Sequence, residues 1–117
     1  MLSYIACGAG LMFIAVSAGA FGAHFLKSRL TSELQIIFEV GVRYQQYHAL
    51  GLVMLGIIYG IIPSFYLCLS FWTMLSGIII FSGSLYVLCF TGARIWGAVT
   101  PIGGLLLLIG WLCLFMG

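Results

Sequence analysis

The stretch ALGLVMLGIIYGIIPSFYLCLSFWTMLSGIIIFSGSLYVLCFTGA, residues 49–93, carries no charged side chain. One helical crossing of the hydrocarbon core takes about 20 apolar residues, so this stretch holds two crossings. Pro63-Ser64 divides it. A proline beside a serine, flanked by Tyr59, Phe65 and Tyr66 of the kind that sit at headgroup level, marks a tight hairpin between two membrane helices. The solvent of this chain is therefore a bilayer, and the composition agrees. With 64% hydrophobic and 5% charged residues among 117, a water-soluble domain would expose far too much apolar surface. The formal net charge of +2 comes from too few groups to make a nucleic-acid surface.

Two further apolar blocks flank this pair. The first runs from Tyr4 to about Ala23. Its Ala18-Gly19-Ala20 looks like a signal-peptide cleavage site, but Met1-Leu2-Ser3-Tyr4 lacks the positive n-region of a secretory signal, so a retained helix is expected. The last block, Ile95 to Met116, is interrupted by Thr100-Pro101. Threonine is a good N-cap and proline suits the first helical position, so the fourth helix either kinks or starts afresh there. The expected architecture is an all-α, single-domain integral membrane bundle of four transmembrane helices, with spans over 4–24, 46–62, 66–90 and 95–116.

The charged residues crowd into one stretch, Lys27, Arg29, Glu33, Glu39 and Arg43, with Arg94 alone elsewhere. Ser32 and Gln35 have the capping-box spacing, and Leu30, Leu34, Ile37, Phe38 and Gly41 recur at intervals of three and four. These features predict an amphipathic interfacial helix over 31–44, lying along the membrane surface or leaning on the bundle. With four crossings, the connections after helices one and three share a side and hold Lys27, Arg29, Arg43 and Arg94. The positive-inside rule makes that side the cytoplasm, or the matrix if the protein is organellar. Both termini and the Pro63 hairpin are then expected outside, in a bacterial cytoplasmic (inner) membrane or a mitochondrial inner membrane. On this map the polar residues His24, Gln45, His48, Ser82, Ser84, Tyr86 and Thr100 fall in the inner half of the bundle.

Gly19-Ala20-Phe21-Gly22-Ala23-His24, Arg43-Tyr44-Gln45-Gln46-Tyr47-His48-Ala49-Leu50, Phe81-Ser82-Gly83-Ser84-Leu85-Tyr86, Thr100-Pro101-Ile102-Gly103-Gly104 and Gly110-Trp111 resemble, in order and spacing, the signature of the family called domain of unknown function 423. The resemblance covers essentially the whole chain. It implies a small multi-pass membrane protein of bacteria, with mitochondrial relatives similar to transmembrane protein 256, and it implies no particular activity.

Each polar group has a chemical reading and a structural one. His24 and His48 are the only candidates for haem, copper or zinc. A helical metal site normally shows further ligands, such as a Glu-x-x-His pair, so hydrogen bonding to a carbonyl or hydroxyl is the simpler role, and no cofactor or metal is expected. Glu39 and Arg43, four apart on one helix, make an ordinary surface pair. Arg43 and Arg94 also suit headgroup contact or an anion, and Arg94 precedes a helix start at Thr100-Pro101 whose free N–H groups favour negative charge. Ser82, Ser84 and their neighbours form a small, hydroxyl-bearing helix face suited first to close packing and second to a substrate path. Ala15, Gly19 and Ala23, and Gly56 and Gly60, have the small-xxx-small spacing of tight helix pairs and of faces for a homo-oligomer or a membrane-protein partner. Cys7, Cys68 and Cys113 map to the outer ends and Cys89 to the inner. None forms a C-x-x-C pair, so they read as small hydrophobes rather than a bridge or cluster.

No catalytic residues emerge. The first reading is a non-catalytic structural, assembly or lipid-interacting membrane component whose partners are lipids. The alternative is a small-solute or proton binding or transport protein, in which His24, Arg43, Gln45, His48, Ser82, Ser84, Tyr86, Arg94 and Thr100 form an inward-facing polar pocket. A haem- or quinone-binding protein is third.

Overall fold

A computed structural model describes residues 2–117, apart from the side chain of Ala23, so that part of the small-residue pattern on the first helix lies outside the described residues. The described residues form four α-helices and no strand: α1 Leu2–Phe25, α2 Ser32–Ile61, α3 Phe65–Thr91 and α4 Thr100–Met116, the last preceded by a 3₁₀ helix, Arg94–Ala98.

The largest departure from the expected elements is α2. The segments 31–44 and 46–62 are one uninterrupted helix of 30 residues rather than an amphipathic helix followed by a span. Nothing in Arg43-Tyr44-Gln45-Gln46-Tyr47 ends a helix, since the run has neither proline nor glycine. At 1.5 Å per residue α2 is about 45 Å long, which accounts for the 47 Å long axis of the molecule. Its cap also differs by one position from the capping box. Thr31, not Ser32, is the N-cap and accepts from the Leu34 N–H at 3.2 Å. The Gln35 amide donates to Lys27 O at 2.8 Å and Leu30 O at 3.0 Å, which ties the α1–α2 connection onto the new helix.

The Ile62–Ser64 corner is tight. Ser64 caps α3 by accepting from the Tyr66 N–H at 3.2 Å. Helix α3 ends on Gly92, whose φ of 70° is left-handed and is reached by glycine without a Cβ clash. Helix α4 starts afresh after the 3₁₀ turn. Thr100 is not its N-cap: Val99 is, without a side-chain capping bond. The Thr100 hydroxyl instead donates to Trp96 O at 3.2 Å and pairs with Ser84 Oγ at 2.6 Å.

The helices pack antiparallel in chain order, each on the next, in a bundle only 17 Å across its thinnest direction. Small residues set the spacing. A Cβ on Gly8 would lie 2.7 Å from Ala49 O, and one on Gly77 2.7 Å from a Leu107 methyl. Gly103 sits directly on the Phe81 backbone, and Gly110 on Met74. Of the small residues read from the sequence, Ala15 is fully buried, Gly19 lies beside Val42 and Gly56 touches Ile5. Leu52, Leu55, Phe71, Met74, Ile78 and Leu107 make the main core, and Phe38, Val42 and Cys89 a second one towards the charged end. The surface is the reverse of a soluble protein's. Phe13, Ile14, Ile57, Trp72, Ile79, Leu105, Leu108 and Leu112 are exposed, while Gln45, His48, Ser70, Ser82 and Ser84 are buried.

The first three turns of α2 are held by that second core. Ile37 packs against it, whereas Ile36 is 63% exposed. Ile37→Lys is expected to lose about 2 kcal/mol or more, because its ammonium would be drawn into an apolar contact, and Ile36→Lys about 0.5 kcal/mol or less. Thermal unfolding in detergent checks the pair. Equal losses would mean that this end of α2 is not docked.

Candidate functional site

Register across the bundle changes the depth of the polar residues. Gly8 meets Ala49 and Gly19 meets Val42, so Gln45 and His48 lie opposite the central third of α1. Gly51 meets Met74 and Gly41 meets Leu85 and Tyr86, so His48 is level with the middle of α3. Gln45 and His48 are therefore at mid-height of the bundle. The sequence reading has them open a helix near residue 46, whereas the helix that carries them begins at Ser32.

Each buried polar side chain among the described residues has a partner. Gln45 donates from Nε2 to Leu11 O at 2.8 Å and accepts at Oε1 from the Tyr86 hydroxyl at 2.6 Å, joining α1, α2 and α3. Ser82 Oγ donates to Gly41 O at 2.7 Å and Ser70 Oγ to Gly110 O at 2.6 Å, pinning α3 to α2 and to α4. Ser84 joins α3 to the start of α4 through Thr100. His48 Nδ1 lies 2.7 Å from Tyr44 O, which can only accept, so Nδ1 carries the proton. Nε2 is then the acceptor, and Trp111 Nε1–H donates to it at 2.9 Å. No buried side-chain nitrogen or oxygen among the described residues is without a hydrogen bond.

This arrangement leaves His48 without a free lone pair, so it binds a metal only if the Trp111 bond is given up. His24 is exposed in the last turn of α1, about 18 Å along the axis from His48 by the helical rise. The two histidines do not share a position at which an ion could sit. Among the described residues no three His, Cys, Asp or Glu side chains cluster, and all four cysteines are free thiols.

The nine polar residues singled out in the sequence thus separate into groups. Gln45 and Tyr86 pair, Ser84 and Thr100 pair, Ser82 bonds to backbone, and His48 bonds to Trp111. Arg94 reaches Glu33 at 3.5 Å in a largely exposed pair, their side chains 78% and 65% exposed. Such a pair contributes about 0–1 kcal/mol. Arg43 is exposed and lines a cavity of about 480 Å³ between the end of α1 and the start of α2, together with Lys27, Gln35, Glu39 and Gln46. Lys27 and Gln46 were not among the residues read as a site. Their signal was available only through the pairing of α1 with α2, because Lys27 lies in the connection and Gln46 is one of two adjacent glutamines. A second groove of about 570 Å³, between α2 and α4, is walled by Tyr44, His48, Phe81 and Trp111 and by exposed leucines.

An apolar exterior around internally bonded polar groups, with three helices long and apolar enough to cross a bilayer, defines a helical integral membrane protein. The chain belongs to the family described as protein of unknown function (DUF423), whose model matches residues 18–104. It is similar to membrane proteins named UPF0382. The relative in Staphylococcus saprophyticus is 45% identical over 117 residues, covering 100% of this chain and 97% of that one. The relative in Staphylococcus haemolyticus is 44% identical over 116 residues, 99% of this chain and 94% of that one. YwdK of Bacillus subtilis is 38% identical over 113 residues, 96% of this chain and 92% of that one. No solved structure matches the chain.

Proposed function

We propose that the protein is a non-catalytic, lipid-contacting structural component of the bacterial cytoplasmic membrane, crossing it four times with its basic end in the cytoplasm. The observation that carries this reading is the closure of the buried polar groups. Gln45, His48, Tyr86 and the serines spend their hydrogen-bonding capacity on one another and on neighbouring helices, as groups that specify packing do. A solute or proton path would instead need polar groups open to a water-filled cavity.

Helix α2 is less apolar than the other three; Gln45 and His48 are buried on it, whereas Glu33, Glu39 and Arg43 are exposed. Antiparallel pairing with both α1 and α3 along its length favours its crossing the same slab of membrane. Its length of about 45 Å matches the roughly 40–45 Å of a bilayer with its headgroups, so the charged first third emerges along the axis instead of lying flat on the surface. Lys27, Arg29, Arg43 and Arg94 all belong to that end, which favours a cytoplasmic location there.

The reading is tested with fusion reporters. Those placed after Gly117 and within Pro63-Ser64 are expected to report the outer compartment, and one at Thr31 the cytoplasm. A cytoplasmic C-terminus would overturn the four-span topology and the depth assigned to every polar residue.

A further inference from the structure

The cavity between α1 and α2 differs from the other grooves in combining unpaired cations with an apolar floor. Its floor is made by Gly19 and Gly22 on α1 and by Phe38 and Val42 on α2. The two glycines keep it open, since the Phe38 ring would lie 2.7 Å from a Cβ on Gly22, and Val42 3.3 Å from one on Gly19. Lys27 stands at the mouth. Arg43 stands deeper, level with the last two turns of α1, and both side chains are exposed. Neither forms an ion pair among the described residues, where Arg94–Glu33 is the single salt bridge. Gln46, at the deep end, has no side-chain hydrogen bond there either, and Gln35 uses its amide N–H on the connection and leaves Oε1 without a donor.

An unpaired guanidinium over an apolar floor needs a counter-charge, and a phosphate accepts its forked donors directly. Two cations and the Glu39 carboxylate give the cavity wall a net charge of +1, which complements a phosphodiester carrying one negative charge. The glutamine and glutamate oxygens complement hydroxyl donors on its headgroup. The volume of about 480 Å³ falls within the range of about 300–1,000 Å³ for small-ligand sites.

We propose that this groove binds one anionic, hydroxylated phospholipid of the phosphatidylglycerol class. Its phosphodiester lies between Lys27 and Arg43, and its first acyl methylenes cover Gly19, Gly22 and Val42. The site presupposes the lipid-contacting role proposed above and gives that role a particular lipid and a particular place.

The test uses the full chain in a neutral maltoside detergent, with thermal unfolding followed as lipid is added. Phosphatidylglycerol is expected to raise the melting temperature saturably, while phosphatidylcholine and free glycerol phosphate do so weakly or not at all. The Lys27→Gln/Arg43→Gln variant is expected to need about tenfold more phosphatidylglycerol for the same shift, because it loses two charge-assisted contacts. Arg29→Gln/Arg94→Gln, with the same change in net charge, is expected to keep the wild-type response. All four side chains are exposed, so the comparison does not hinge on folding. Equal responses from wild type and both variants, or an equal loss in the two variants, would overturn the site while leaving a general lipid role intact. Stabilisation by glycerol phosphate as strong as by the lipid would reassign the groove to a free phosphate ester and overturn the lipid. If no lipid stabilises the wild type, the site and the lipid-contacting function fail together.

Discussion

Gly103→Ala is expected to remove most folded protein, although it adds a single methyl group. Gly103 lies against the backbone nitrogen and Cα of Phe81, so there is no flexible side chain to swing aside and α3 and α4 have to separate. Overpacking a close-packed contact costs about 1–3 kcal/mol and occasionally more, and backbone against backbone puts this site at or above the top of that range. Separation also strains the Ser70–Gly110 and Ser84–Thr100 bonds, which are short and span the same interface. Gly10→Ala is the control. A Cβ there meets nothing within 4 Å, and alanine exceeds glycine in helix propensity by about 1 kcal/mol. Unfolding in mixed micelles of mild detergent and SDS should show Gly103→Ala strongly destabilised and Gly10→Ala unchanged or improved. Similar behaviour of the two would mean that α3 and α4 are not in contact at Gly103.

The sequence made the all-helical membrane architecture legible because bilayer physics writes it in blunt terms: long uncharged blocks, a Pro-Ser corner, and basic residues held to residues 27–43 and Arg94. Ser64 and Gly92 show how local the remaining signals are, since each end of α3 is set by a residue at or beside the end itself. The position of His48 along its helix was not legible. It depends on whether α2 breaks near residue 45, and the absence of a breaker there is weaker evidence than the presence of one. Charge patterning pointed to a surface helix, but Phe38 and Val42 on the same segment find a partner in Cys89 and in Tyr86 on α3, and this packing keeps the segment in line with the rest of α2. The cavity at Lys27 and Arg43 was hidden for a related reason, because it forms only when Gly19 and Gly22 are laid against Val42 and Phe38.

The mid-height network gives the second large effect and the sharpest separation of packing from transport. Gln45→Leu would leave the Tyr86 hydroxyl without its acceptor in an apolar interior, and Tyr86→Phe would leave Gln45 Oε1 without its donor. An orphaned buried polar group costs about 1–3 kcal/mol. Intramembrane hydrogen bonds measured in isolation are worth about 0.6–1.7 kcal/mol, so each single substitution is expected to destabilise by about 1–2 kcal/mol. The double substitution Gln45→Leu/Tyr86→Phe removes both partners and leaves only apolar surface. It is therefore expected to lose less than the sum of the singles by about 1 kcal/mol. Coupling of that sign follows only if the two groups serve each other. If Gln45 and Tyr86 instead solvate a path for solute or protons, each interacts with water independently and the losses should add. Strict additivity in SDS-titrated unfolding would therefore count against the structural role and return Gln45 and Tyr86 to the transport alternative.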